Sequence, residues 1–134
     1  MQQFLDQASH NQVFHDEISK ACSNNYYDWK ITVLFYIAVH YLKALAAMRN
    51  INIGATHQEI EKSVNPDRPG ASMKITKTAW RNYSQLYHSS RNARYEGIAD
   101  IFVFESLMQI DHGYCLKYLD DFKKYVIGQG LPLN

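Results

Sequence analysis

Trp29-Lys30-Ile31-Thr32-Val33-Leu34-Phe35-Tyr36-Ile37-Ala38-Val39-His40-Tyr41-Leu42-Lys43-Ala44-Leu45-Ala46-Ala47-Met48 is the stretch on which the fold turns. It contains neither proline nor glycine, and on a helical wheel it is apolar nearly all round. Such a helix lies at the centre of a bundle or is shared with a second subunit. Its most apolar part, Ile31–Met48, also has about the length of a short membrane span. It carries Tyr36, His40, Tyr41 and Lys43, however, so a buried core helix accounts for it better.

Helical periodicity continues on both sides. Upstream, Phe4, Leu5, Ala8, Val13, Phe14, Ile18 and Ala21 mark the apolar positions of a helix from about Gln3 to Cys22, ended by Ser23-Asn24-Asn25. Downstream, Asn50 to Ala55 reads as a loop. Thr56-His57-Gln58-Glu59 has the capping-box pattern, Thr first and Glu three residues later, and opens a short helix to about Val64. Asn65 to Ala71, with two prolines and a glycine, is a surface loop. Ser72 is the expected cap of a fourth helix running to about Glu96 and stopping at Gly97. Asp100 caps a fifth, reaching about Ile127 with the stripe Phe104, Met108, Cys115, Leu119, Phe122 and Val126. The tail from Leu131 to Asn134 is expected to fray. The expected fold is all-α, an up-and-down bundle of four long helices plus one short helix, in a single domain over residues 1–134.

At 134 residues, 46% hydrophobic and 20% charged, the chain is globular and needs no disulfide or metal to fold. Cys22 and Cys115 are far apart, with no CxxC and no Cys/His cluster, so no zinc site is expected. Both read as small core residues suited to a reducing compartment. The N-terminus lacks a basic region followed by an apolar run, so the expected location is cytoplasmic, with no membrane partner. No GxGxxG, Walker A or HExxH pattern is present, so no cofactor is expected.

The formal net charge of +1 hides an uneven distribution. From Arg68 to Tyr95 there are six basic residues and no acid, which leaves eight basic against thirteen acidic residues elsewhere. Such a block either attracts an anion or pairs with the acidic remainder of the chain. On the wheel of the fourth helix, Ile75, Ala79, Tyr83, Leu86 and Ala93 form the core face. Arg81, Ser84, His88, Arg91 and Tyr95 share a polar sector, with Trp80, Tyr87 and Arg94 on its flank. Guanidinium groups bind phosphate oxygens bidentately, imidazole exchanges protons near neutrality, and aromatic rings stack on bases. The sector therefore suits phosphodiester recognition or cleavage, and it is equally what a solvated helix face looks like. His40 reads as a core histidine and His57 as an early helix residue. Together with Arg94 they would make a second cluster if the fold brought them together. His10, His15 and His112 read as incidental.

Two elements resemble a known family. Phe35-Tyr36-Ile37-Ala38-Val39-His40 matches an "FYxAxH" helix, and Ser90-Arg91-Asn92-Ala93-Arg94-Tyr95 matches "SRxARY", with His57 at the start of a short helix between them. Together, over roughly Asp28 to Tyr95, they resemble small bacterial HEPN-like proteins (higher eukaryotes and prokaryotes nucleotide-binding). The resemblance implies a helical bundle, usually a homodimer. It further implies a metal-independent endoribonuclease, or an RNA-binding relative that has lost activity, in a toxin–antitoxin or antiviral defence setting with a cognate antitoxin or defence partner protein. The active kind carries Arg, four to six residues, then His. Arg81 and His88 fit that spacing as the catalytic pair, with Arg91, Arg94, Tyr95 and Tyr87 as phosphate or base contacts. The alternative expectation is a non-catalytic helical dimerisation and interaction module.

Overall fold

The computed structural model describes residues 1–95 and 100–133. The Tyr95 side chain and the expected helix stop at Gly97 lie outside what is described. The described residues form five helices and no strand: α1 Gln2–Ala21, α2 Tyr27–Met48, α3 His57–Val64, α4 Lys77–Tyr95 and α5 Ile101–Gly128. The all-α bundle expected from the sequence is therefore present.

α2 is its axis, packed against α1, α4 and α5. Its Ile31, Leu34, Ile37, Ala38, Leu42, Ala44 and Leu45 are wholly buried. At about 1.5–3 kcal/mol for each fully buried large aliphatic side chain, this helix is the main source of hydrophobic stabilisation. Pairings along the helices give the directions. Phe35 meets Tyr83 and Tyr87, and Tyr83 meets Phe122. At one end of the α2–α5 pair Tyr27 meets His112, and at the other the Arg49 Nη2 donates to Gln129 Oε1 at 2.6 Å. α4 thus runs antiparallel to both α2 and α5, and α5 runs parallel to α2. Among the described residues one helix, Tyr27–Met48, is long and apolar enough to cross a bilayer, and 67% of its most apolar window is buried inside the bundle.

Three expectations need correction. α4 starts at Lys77, not after Ser72. Residues 72–76 run along the end of α3, where Met73 N donates to Ser63 O and Ile75 N to Val64 O, burying Met73 and Ile75. These bonds take the backbone out of helical geometry, and Thr76 caps α4 instead, its Oγ1 accepting from Ala79 N at 3.1 Å. Next, Val13, Phe14 and Ala21 of α1 are exposed, because α1 packs extensively on α2 alone and one neighbour covers only one stripe. Finally, the tail is docked at Leu131, whose N–H donates to Val126 O and whose side chain is buried.

The join between α1 and α2 is tied by Lys30. Its side chain is 2% exposed, its Nζ donates to Cys22 O at 2.6 Å, and it lies 4.3 Å from the Tyr27 ring centroid. Cys22 is the C-cap of α1, so the ammonium sits at the negative end of that helix and satisfies one of its terminal carbonyls.

Candidate functional site

The site is built where α3 begins against the middle of α4. Thr56 caps α3: its Oγ1 accepts from Glu59 N at 3.2 Å and donates to Glu59 Oε1 at 2.9 Å. Gly54 (φ +89°) is required just before it, since a Cβ there would collide with the Glu59 side chain. This turn delivers His57 as the first helical residue, face to face with Tyr87 at 3.5 Å between ring centroids and 10° between planes. Thr56→Ala should therefore lower stability by about 1 kcal/mol, visible as a drop of a few degrees in Tm, and loosen the His57 ring. A melt unchanged from the parent would show that the capping hydroxyl is not what holds this turn.

Tyr87 is the hub of the cluster. Besides His57, its ring meets Phe35 at 5.6 Å and His88 at 5.4 Å, and its hydroxyl accepts from Arg91 Nη1 at 3.4 Å. The His57 Nδ1 is buried without a hydrogen-bond partner. Burial pushes the pKa of His57 below its ordinary value. Glu61 acts the other way, and His88 and Arg91 lower it further. His57 is thus a neutral imidazole at neutral pH, a proton acceptor beside an exposed imidazole and an exposed guanidinium. Behind it opens a cleft of about 440 Å³ lined by His57, Gln58, Glu61, Lys62 and Arg68. Burial disfavours charge on Glu61, but hydrogen bonds from Arg68 and Asn65 outweigh it and hold that carboxyl below its usual range. Arg68 is accordingly engaged by Glu61, its Nε 2.9 Å from Oε2, and is not part of a free basic field.

One turn beyond Arg91, the half-buried Arg94 donates to Ser90 Oγ at 3.3 Å, and its guanidinium lies 5.8 Å over the Tyr36 ring. Ser90 is fully buried and donates to Tyr87 O. The His40 Nδ1 donates to Tyr36 O at 2.7 Å. α2 and α4 therefore bring Arg94 to the Tyr36 ring, His40 is tied only within α2, and His57 joins the Tyr87 group, so the three do not form the second cluster that the sequence left open.

The Arg81–His88 pair fares differently. Both side chains are exposed, but they serve different surroundings. Arg81 lines a groove with Asn82, Lys117, Asp121, Lys124 and Tyr125 against α5. His88 lies by Tyr87 and acts on His57. Two helical turns, about 10 Å of axis, separate them. The α4 groups that act on His57 are His88 and Arg91. Ser84, expected on the solvated face, has a buried Oγ with no partner. Sequence reading also passed over Glu61 and the exposure of Trp29 and Tyr36. His40, expected in the core, is only half-buried, and Trp29 and Tyr36 on the same stripe of α2 are exposed.

Among the described residues, no group of three or more His, Cys, Asp or Glu side chains could hold a metal ion. The class defined so far is an all-α bundle carrying an imidazole–guanidinium cluster on one edge. Comparison with family models, with curated proteins and with solved structures gave no match.

Proposed function

We propose that this chain is an RNA-associated helical bundle of HEPN-like design, holding single-stranded RNA against the edge where α3 and α4 meet. The stacked His57–Tyr87 pair, with His88 and Arg91 from the acid-free run of α4 around it, is the observation that carries this reading. Arg91 and Arg94 supply phosphate contacts, and the aromatic rings supply base contacts. A neutral His57 beside a second imidazole suits metal-independent transesterification. One ring takes the proton of the ribose 2′-hydroxyl as it attacks the adjacent phosphorus, the other returns a proton to the leaving oxygen, and Arg91 stabilises the phosphorane charge. The proposed setting is the one the HEPN resemblance implies, cytoplasmic toxin–antitoxin or antiviral defence.

The test uses labelled single-stranded RNA in EDTA. Binding should weaken steeply with salt, and Arg91→Ala/Arg94→Ala should flatten the log–log salt slope by about 1.4, or about 0.7 for each lost single-strand phosphate contact. Cleavage, if the protein turns over, should fall about 10²–10⁴-fold in His57→Ala or His88→Ala with the melt unchanged. The outcome that sinks the reading is no RNA binding at low salt.

A second reading, a dimerisation module, is favoured by one observation. Val103, Leu107, Ile110 and Tyr114 form an exposed stripe on α5 at i, i+4, i+7 and i+11, on the flank of the helix roughly 115° around from the face that packs in the core. A single-helix stripe of this kind can meet its own copy about a two-fold axis. A monomer by light scattering at high protein concentration would remove that reading.

A further inference from the structure

A second feature lies at the other end of the same edge, where the start of α2 meets the end of α4. There a cleft of about 240 Å³ is lined by Asp28, Trp29, Thr32, Ala93 and Arg94. The Trp29 indole is 57% exposed, unusual for the largest apolar side chain on the central helix of a bundle. Two turns along the same stripe, Tyr36 is 43% exposed beneath the Arg94 guanidinium. Thr32 Oγ1 is already committed as a donor to Asp28 O at 2.9 Å. The cleft thus has an open aromatic face, a guanidinium on one wall and a carboxylate on the other. Among the described residues the Asp28 carboxylate makes no hydrogen bond or ion pair.

We infer that this cleft is a base-reading subsite for an unpaired guanine of a single-stranded RNA, stacked on Trp29 with its Watson–Crick edge against the Asp28 carboxylate. The inference rests on the RNA reading above and adds a base preference to it. An ionised carboxylate only accepts hydrogen bonds. Guanine offers two adjacent donors, N1–H and the N2 amino group, matching the two oxygens of a carboxylate. Uracil offers one donor between two carbonyl oxygens, which a carboxylate repels. Stacking on tryptophan is tolerant of sequence, so Trp29 supplies affinity and Asp28 the discrimination. Arg94, shared between the Tyr36 ring and this cleft, lies between the subsite and the Arg91–His57 group, where the connecting phosphate would pass.

The experiment compares two fluorescently labelled pentanucleotides, UUGUU and UUUUU, by anisotropy. A Trp80→Phe background makes Trp29 the sole tryptophan reporter. The guanine oligonucleotide should bind about tenfold more tightly and quench Trp29 emission. Asp28→Asn should bring the two affinities within twofold, weakening UUGUU by loss of the paired acceptors and strengthening UUUUU by relief of the repulsion. Trp29→Ala should weaken both about tenfold or more. Equal affinities in the parent protein, or a guanine preference that survives in Asp28→Asn, would overturn the subsite while leaving RNA binding through Arg91 and Arg94 intact. A Trp29 emission shift that follows protein concentration alone would assign the indole to a protein contact, and also overturns it. No binding of either oligonucleotide removes the RNA reading and the subsite with it.

Discussion

Lys30→Ala should destabilise the protein by about 3 kcal/mol, lowering Tm by roughly 10 °C, whereas Lys30→Met should cost about 1 kcal/mol or less. The two substitutions remove the same charge and differ in what they leave behind. Alanine opens a cavity under α1 and leaves the Cys22 carbonyl at the helix end without its donor. Methionine leaves the carbonyl equally bare but refills most of the volume and avoids burying an ammonium, a burial that costs several kcal/mol wherever it occurs. No described carboxylate pairs with Lys30; its partners are the Cys22 carbonyl and the Tyr27 ring. The ammonium therefore joins α1 to α2 without adding much net stability over an apolar side chain of its shape. Urea unfolding of both variants at pH 7.5 measures the difference. Equal losses would mean that the charge itself, and not the filled volume, holds this corner together.

Stability should also fall between pH 6.5 and pH 4 through the pair of the buried His15 and the half-buried His112 that lies beside Lys30. His15 Nε2 and His112 Nε2 are 2.9 Å apart, joining residues 97 positions apart in sequence. His15 Nδ1 lies 3.4 Å from Asp16 Oδ1, which fits a tautomer with the proton on Nδ1. His15 Nε2 then accepts, and His112 Nε2–H donates. A second proton would set two N–H groups against each other, next to an ammonium. Burial, then His15 and Lys30, push His112 down to about 4, and burial is also the main cause of the lowered value for His15. Both rings titrate near 6.5 when unfolded, so below that pH the unfolded chain binds more protons and acid favours unfolding. Above pH 6.5 both states are neutral and the effect vanishes. Allowing for solvent screening of the partly exposed His112 ring, the loss by pH 4 should be about 1–2 kcal/mol. His112→Asn keeps a donor and cannot titrate, so its midpoint denaturant concentration should change less between pH 7.5 and 4.5 than that of the parent. Identical pH dependence in the two proteins would show that the pair is not the acid-sensitive element. Lys30→Met should also blunt the dependence, because it removes one of the charges opposing protonation.

These two predictions concern residues that were poorly legible before the fold was known. His15 and His112 looked incidental, since nothing local links two histidines on separate helices. Nothing in the apolar stretch of α2 singled out Lys30, and its burial follows from the end of α1 lying against the start of that helix. The same limit applies at the functional edge. Wheel positions placed Arg81 and His88 in one sector, which is correct as helix geometry. It could not say that Arg81 would face α5 while His88 faced α3. Tyr87 was seen as a flank residue, and only the docking of α3 makes it the ring on which His57 lies.

The sequence by itself determined the helices, the central place of α2 and the core stripe of α5, because periodicity and end-capping act within a few residues of one another. The buried positions Phe104, Met108, Cys115, Leu119, Phe122 and Val126 are those its spacing marked out. Thr56 caps α3 as its pattern indicated. Tertiary structure alone decided which polar groups share a site. The non-helical run of residues 72–76, the His57–Tyr87 stack, the His15–His112 pair and the Lys30 tie all arise between segments apart along the chain. Their hydrogen bonds and ring contacts exist only once the helices have packed, so no local pattern of residues could have announced them.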